Sequence, residues 1–239
     1  AAWLAEPQAR FGGALQLDGT NVYAVVTNWP ALDINQNQVT ISLWVWLRQL
    51  PADLPGSFGS IYDSTSDNYI LYLDRGNNEF RFKVTASDGA ARPGIPAADL
   101  VLNQWLHVVG VYDGNASSGA GEARIYLNGV LKDTEVGNGN GGTGLTGLVT
   151  PGQVAGIGRQ PDGTGAFYGA VDDISVWNRA LTADEITYVA AGHEIPVPVP
   201  AKVIYANDFE AYSNVATNLA DEAAARDTLF EIAQLRRLL

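Results

Sequence analysis

The stretch Gly169-Ala-Val-Asp-Asp-Ile-Ser-Val-Trp-Asn-Arg-Ala-Leu-Thr-Ala-Asp-Glu-Ile186 constrains the fold more than any other part of the chain. It predicts a closing strand that runs straight into a short capped helix. By the two-residue period of a strand, Asp172, Ile174 and Val176 share one face, and Asp173, Ser175 and Trp177 the other. Thr182 and Glu185 have the spacing of a capping box, in which a hydroxyl and a carboxylate each satisfy a free backbone N–H.

Upstream, short alternating runs recur with turn signals between them. Residues 14–17 and 22–26 flank Asp18-Gly19, a hairpin signal. The run 39–47 places Val39, Ile41, Leu43, Val45 and Leu47 on one face and Thr40, Ser42, Trp44 and Trp46, continued by Arg48, on the other. Residues 69–73 and 79–85 are joined by Asp74-Arg-Gly-Asn-Asn78, with Phe80, Phe82 and Val84 facing inward. Residues 123–127 turn through Asn128-Gly129 into 130–132. Many short alternating strands with Gly turns predict an antiparallel sandwich. Residues 137–147 are Gly-rich and predict a loop. Gly192 is placed as a helix C-cap. The run 195–200 alternates with Pro as a stiff linker, followed by a strand at 201–209 and an apolar-striped helix at 221–239.

A chain of 239 residues suits one all-β domain with an appendage. Its 46% apolar content is enough to fill a core. The net charge of −12 excludes the basic footprint of a nucleic-acid binder or of a protein drawn to anionic membrane. The same excess of carboxylates suits exposure to divalent cations. Without cysteine there is no disulfide framework and no thiolate zinc site. No apolar run approaches the roughly 20 residues that span a bilayer. The lack of methionine and the start at Ala1-Ala-Trp3 predict a mature or trimmed product. Gly- and Asn-rich loops with sparse lysine point to an extracellular location.

Five motifs, taken in order, resemble the laminin-G-like, concanavalin-A-like jelly roll over residues 15–191. They are Ala14-Leu-Gln-Leu-Asp-Gly19, Val39-Thr-Ile-Ser-Leu-Trp-Val45, Trp105-Leu-His-Val-Val-Gly-Val-Tyr-Asp-Gly114, Ala123-Arg-Ile-Tyr-Leu-Asn-Gly129 and the closing strand and helix. The resemblance implies an all-β, two-sheet antiparallel jelly roll over 1–192; the linker at 193–200 and the strand-plus-helix extension at 201–239 are read from the residues beyond it. Such modules mostly bind or build, so the expected function is a non-catalytic extracellular recognition or assembly module. One form of it is a surface or filament subunit joined through its tail. The alternative is a carbohydrate-binding module that serves polysaccharide degradation; a glycosidase on the same fold ranks third.

The chemistry narrows these readings. Retaining hydrolases on this type of sandwich carry Glu-x-Asp-x-x-Glu on one strand, with two carboxyl groups about 5 Å apart. No such string occurs. There is no Gly-x-Ser-x-Gly elbow. His107 sits mid-strand as a structural histidine, and His193 follows the helix end. An inward Asp172 needs a partner, either a cation or a set of backbone N–H donors. By resemblance, Asp18 lies close to it. The two, with backbone oxygens, would then hold a structural Ca²⁺; otherwise Asp18 only makes its turn and Asp172 only accepts hydrogen bonds. Glycan binding requires exposed aromatic platforms, for which Trp44, Trp46, Tyr72 and Tyr126 are the candidates, unless the tryptophans lie under a loop or the tail. The tail has too little surface to fold alone. It is expected to add its strand to a sheet edge, either its own or, by preference, a neighbour's, which would make a homopolymer through residues 201–239; otherwise it begins a further domain.

Overall fold

The computed structural model describes residues 2–5, 9–27, 34, 37–64, 68–86, 89–137, 154–195 and 203–207. The expected loop beyond Gly137, the prolines of the linker and the helix at 221–239 lie outside the described residues. The first half of the chain forms β1 (Ala2–Ala5), β2 (Gly13–Asp18), β3 (Ala24–Val26), β4 (Gln38–Leu47), β5 (Phe58–Ser64), β6 (Tyr69–Asp74) and β7 (Glu79–Ala86). Then follow β8 (Gly89–Ala91), β9 (Gly94–Pro96), β10 (Trp105–Asp113), the one-turn α1 (Ala116–Gly119), β11 (Glu122–Leu127) and β12 (Val130–Val136). The closing elements are β13 (Ala155–Ile157), β14 (Tyr168–Trp177), α2 (Ala183–Ala190) and β15 (Val203–Asn207).

Two antiparallel sheets face each other. One has eight strands in the order β1-β2-β14-β4-β10-β11-β12, with β15 beside β14. The other has seven, β3-β13-β5-β6-β7-β8, with β9 beside β7. The expected jelly-roll sandwich is the observed one. The inner row Val39, Ile41, Leu43, Val45 and Leu47 of β4 meets Tyr62, Tyr69, Leu71, Phe80 and Phe82 of the opposite sheet in one core. At its centre a Cβ on Gly110 would run into the ring of Phe82, so the two sheets approach closely because that residue has no side chain. Gly110→Ala is expected to lower stability by about 1–3 kcal/mol through overpacking, read as a drop in the urea midpoint. An unchanged midpoint would mean that the sheets can part there without cost.

Two expectations are corrected. Asp18-Gly19 does not close a hairpin: β2 belongs to the eight-stranded sheet and β3 to the other. Asp18 Oδ1 gathers the N–H groups of Thr20, Asn21 and Val22 at 2.8, 2.8 and 2.9 Å, which turns the chain through a corner between sheets. Second, Asp172 does not share a face with Ile174 and Val176. Asp172 pairs with Trp44 and Ser175 with Ser42, so three steps along β14 match two along β4. The extra residue is a β-bulge with Asp173 at φ 52°. It leaves Val171, Ile174 and Val176 in the core and turns Asp172 to the outer face.

The tail is reached last. Its strand is present as β15, but it pairs with β14 of its own chain, Ile174 opposite Asn207 and Val176 opposite Tyr205. β2 takes the first half of that β14 edge, at residues 168–171, and β15 takes the second. This is docking in cis, one of the placements open to the tail.

The closing helix follows its sequence. Thr182 N–H donates to Glu185 Oε2 at 2.9 Å and Glu185 N–H to Thr182 Oγ1 at 3.3 Å. Both oxygens of Glu185 also accept from Arg179 at 2.7 Å, and together these contacts hold its carboxyl below the usual range, Arg179 first among the causes. Gly192 ends the helix at φ 85°, with its N–H donated to Val189 O.

Candidate binding face

The outer face of the eight-stranded sheet is built from alternate residues of four strands, and register lines them up in rows. Trp177, Thr40 and Val111 form one row; Asp172, Trp44 and His107 form another. Ala170, Trp46 and Trp105 form the next, and Tyr168 lies opposite Asp18 beyond it.

α2 covers one half of this face. Thr40 Oγ1 donates to Arg179 O at 2.8 Å and accepts from Leu181 N–H at 3.0 Å, which fastens the approach to the helix. Val109, Val111, Tyr126, Trp177, Leu181 and Ile186 close into a second small core beneath it. Tyr126 is therefore buried under the helix and is no platform.

The middle of the face lies under Arg10 and Phe11. Phe11 N–H donates to Asp172 Oδ2 at 2.9 Å, and Asp173 N–H to Asp172 Oδ1 at 2.9 Å. The Phe11 ring meets Trp44 edge-on at 6.0 Å, and the Arg10 guanidinium sits 4.3 Å from the Trp44 ring and 4.5 Å from the Phe11 ring. Trp44 is left 7% exposed. It is a packing residue, as the reading of tryptophans buried under a loop had it. Burial pushes the Asp172 carboxyl up to about 8, against the pull of the Phe11 N–H. Its burial is answered by backbone donors, one of the two partners expected for it.

His107 lies beside Trp44, with ring centroids 5.1 Å apart, and its Nε2 is 2.7 Å from Ser42 Oγ. A serine–histidine contact invites comparison with a hydrolase. A working nucleophile, however, needs an accessible oxygen and an acid that orients the other ring nitrogen. Here both side chains are buried, and Nδ1 has no hydrogen-bond partner among the described residues. Burial, with Arg10 nearby, drives His107 down to about 3, so the imidazole is neutral at ordinary pH. The pair behaves as packing with an internal hydrogen bond.

The remaining half of the face carries rings that are part-exposed. Trp46 and Trp105 meet edge-on with centroids 5.7 Å apart, both part-exposed. Tyr168 is 39% exposed, and the exposed Arg48 holds its guanidinium 5.8 Å from the tyrosine ring. Ala170, between Tyr168 and Asp172 on β14, is buried beside Trp46 in the same row. Of the predicted aromatics only Trp46 joins this group. Trp105, Tyr168 and Arg48 are not singled out by the sequence, because they come together only through the pairing of β10, β4 and β14.

Tyr72 lies on the other sheet, opposite Arg81, where burial pushes its phenol up to about 12. Arg81 bonds Glu79 at 2.7 Å and lies 3.6 Å from Asp74, so Tyr72 belongs to a charged cluster rather than to the tryptophan face. Asp18 and Asp172 are not brought together either. Asp18 pairs with Tyr168, four residues along β14 from Asp172, or about 13 Å at strand spacing. The N–H of Val22, then that of Thr20, hold Asp18 far below the usual carboxylate range. The two do not fit a shared cation. Among the described residues no group of three or more His, Asp or Glu could hold a metal.

A two-sheet antiparallel jelly roll with one outer face half capped by a short helix is a concanavalin A-like domain. The chain belongs to the family described as the Concanavalin A-like lectin/glucanases superfamily, of laminin-G type, which matches residues 18–187. Among solved structures, the native heptameric SAP-like pentraxin from Limulus polyphemus has a TM-score of 0.55 at 20% identity, over 81% of this chain and 90% of that one. A putative carbohydrate binding protein from Bacteroides ovatus has a TM-score of 0.58 at 17% identity, over 83% of this chain and 51% of that one. Domain 4 of an extracellular arabinanase from Geobacillus stearothermophilus, solved with arabinotriose, has 0.55 at 20% identity, over 79% and 80%. These likenesses are of fold. No curated protein matches the chain in sequence. No helix among the described residues is long and apolar enough to cross a membrane.

Proposed function

We propose that the chain is an extracellular carbohydrate-recognition module that takes its ligand on the part-exposed half of this outer face. The observation that carries the reading is the part-exposed set of Trp46, Trp105 and Tyr168, held on three neighbouring strands. Aromatic rings offer a large apolar surface at little entropic cost, on which the C–H face of a sugar can lie while its hydroxyls stay wet. Strands also hold such a platform more firmly than loops would. The carbohydrate-binding protein of Bacteroides and the arabinotriose-bound domain of the arabinanase lend support, since both share the fold. Self-assembly through the tail ranks second, because β15 already satisfies an edge of its own sheet.

Binding to a broad panel of soluble oligosaccharides, followed by calorimetry on the best of them, tests the reading. Trp46→Ala and Trp105→Ala are each expected to weaken binding by roughly 30-fold, the scale of an aromatic hot spot. Both variants should keep the native melting transition within a few degrees. Wild-type affinity in both variants would remove the platform, and silence across the panel would favour a protein ligand.

A further inference from the structure

We propose that the sugar read at this face is an acidic one, and that Arg48 and Arg10 recognise its carboxylate. The inference rests on the carbohydrate reading above and adds the class of ligand. It starts from how the basic side chains are spent. The chain has 14 Lys and Arg against 26 Asp and Glu, so carboxylate partners are plentiful. Arg81, Arg124, Lys132 and Arg179 each take one, at 2.7–3.3 Å. Arg48 and Arg10 take none among the described residues; their observed partners are aromatic rings. Of the three arginines stacked on rings among the described residues, these two share one sheet face.

Stacking has a consequence for chemistry. A guanidinium lying over a ring gains from the π-face yet keeps its N–H edge directed outward, and the ring limits its rotation. That edge matches a carboxylate in a two-pronged geometry. The carboxyl groups of Asp172 and Asp18, at this face, are already engaged. Asp172 is buried against Phe11, and Asp18 Oδ1 is held by three backbone N–H groups. Neither answers the two guanidiniums.

Their positions also fit an extended ligand. Arg48 stands at the Tyr168 end of β14 and Arg10 over Trp44 at the Asp172 end, about 13 Å along the strand. Trp46 and Trp105 lie in the row between. An oligosaccharide laid along the strands would rest on the tryptophans and present acid groups to an arginine at either end. The net charge of −12 does not forbid this. At physiological salt, charges farther away than about 8 Å are largely screened, while contact at the guanidinium is not.

The test compares oligogalacturonate and oligoalginate with their fully methyl-esterified forms, and adds neutral arabinan oligosaccharides and dextran sulfate. At least one acid form is expected to bind about tenfold or more tightly than its own ester, the scale of one charge-assisted hydrogen bond. That margin should shrink in 0.5 M salt. In Arg48→Gln the margin should shrink to the part that Arg10 holds, in Arg48→Gln combined with Arg10→Gln acid and ester should bind alike, and Arg48→Lys should recover only part of what Arg48→Gln loses. Trp46→Ala should weaken both forms. Acid and ester bound equally by the wild type, or neutral arabinan bound alone, would overturn the acidic class and leave the platform standing. Dextran sulfate bound as tightly as the best uronate would overturn the carboxylate in favour of plain polyanion attraction. If no glycan of any charge binds, the acidic class falls together with the carbohydrate reading.

Discussion

Trp44→Ala is expected to destabilise the domain by about 3–5 kcal/mol, the usual cost of truncating a buried aromatic. Trp46→Ala, two residues away on the same strand face, should cost far less. The difference lies in what covers each ring. Trp44 is enclosed by Phe11, Arg10 and His107, so alanine would leave a cavity and free the Arg10 guanidinium from its ring. It would also uncover Asp172 and His107 beside it in the same row. Trp46 has one flank against Trp105 and stays part-exposed. Urea midpoints of the two variants separate packing from platform. A Trp44→Ala loss below about 1 kcal/mol would mean that Arg10 and Phe11 do not cover the sheet in solution, and Trp44 would return to the list of ligand residues.

This pair of tryptophans also shows how far the sequence can be read. Alternation within one strand is local, and it placed Trp44 and Trp46 opposite Val39, Ile41, Leu43 and Val45 correctly. The capping box of Thr182 and Glu185 and the turn at Asn128-Gly129 are equally local, and both stand in the structure, the turn with Asn128 and Gly129 at φ 51° and 81°. What covers a face is not local. Arg10 and Phe11 reach Trp44 across more than 30 residues of sequence, and helix α2 buries Tyr126 from the far end of the chain. The bulge at Asp173 was illegible for another reason: one inserted residue breaks the two-residue period, and Asp-Asp-Ile-Ser reads as unbroken alternation until register with β4 is known. The same limit separated Asp18 from Asp172, since their distance depends on which residues of β2 and β14 face each other. Tyr168 and Arg48 lay in plain view, but only strand pairing makes them neighbours.

Asp172→Asn is expected to change how stability depends on pH. Asp172 is fully buried and fastens the Arg10–Phe11 segment through the Phe11 N–H. Burial raises its carboxyl from 3.8 to about 8. The folded state therefore keeps a proton that the unfolded chain releases above about pH 4. Stability from this group is fully present below the unfolded value and is lost as pH rises towards and through about 8. The asparagine variant cannot ionise and lacks that slope. Other groups, including the strongly depressed Asp18, titrate in both proteins and cancel in the difference. Wild-type stability minus that of Asp172→Asn should thus fall between pH 4 and pH 8, by at most about 1.4 kcal/mol per unit. Urea midpoints at several pH values across that window give the difference directly. A difference that rises instead would show an ionised Asp172 held by its two N–H donors, with the bonds to Phe11 and Asp173 outweighing desolvation. In that case the segment over Trp44 would be held by charge, and acid rather than alkali would loosen it.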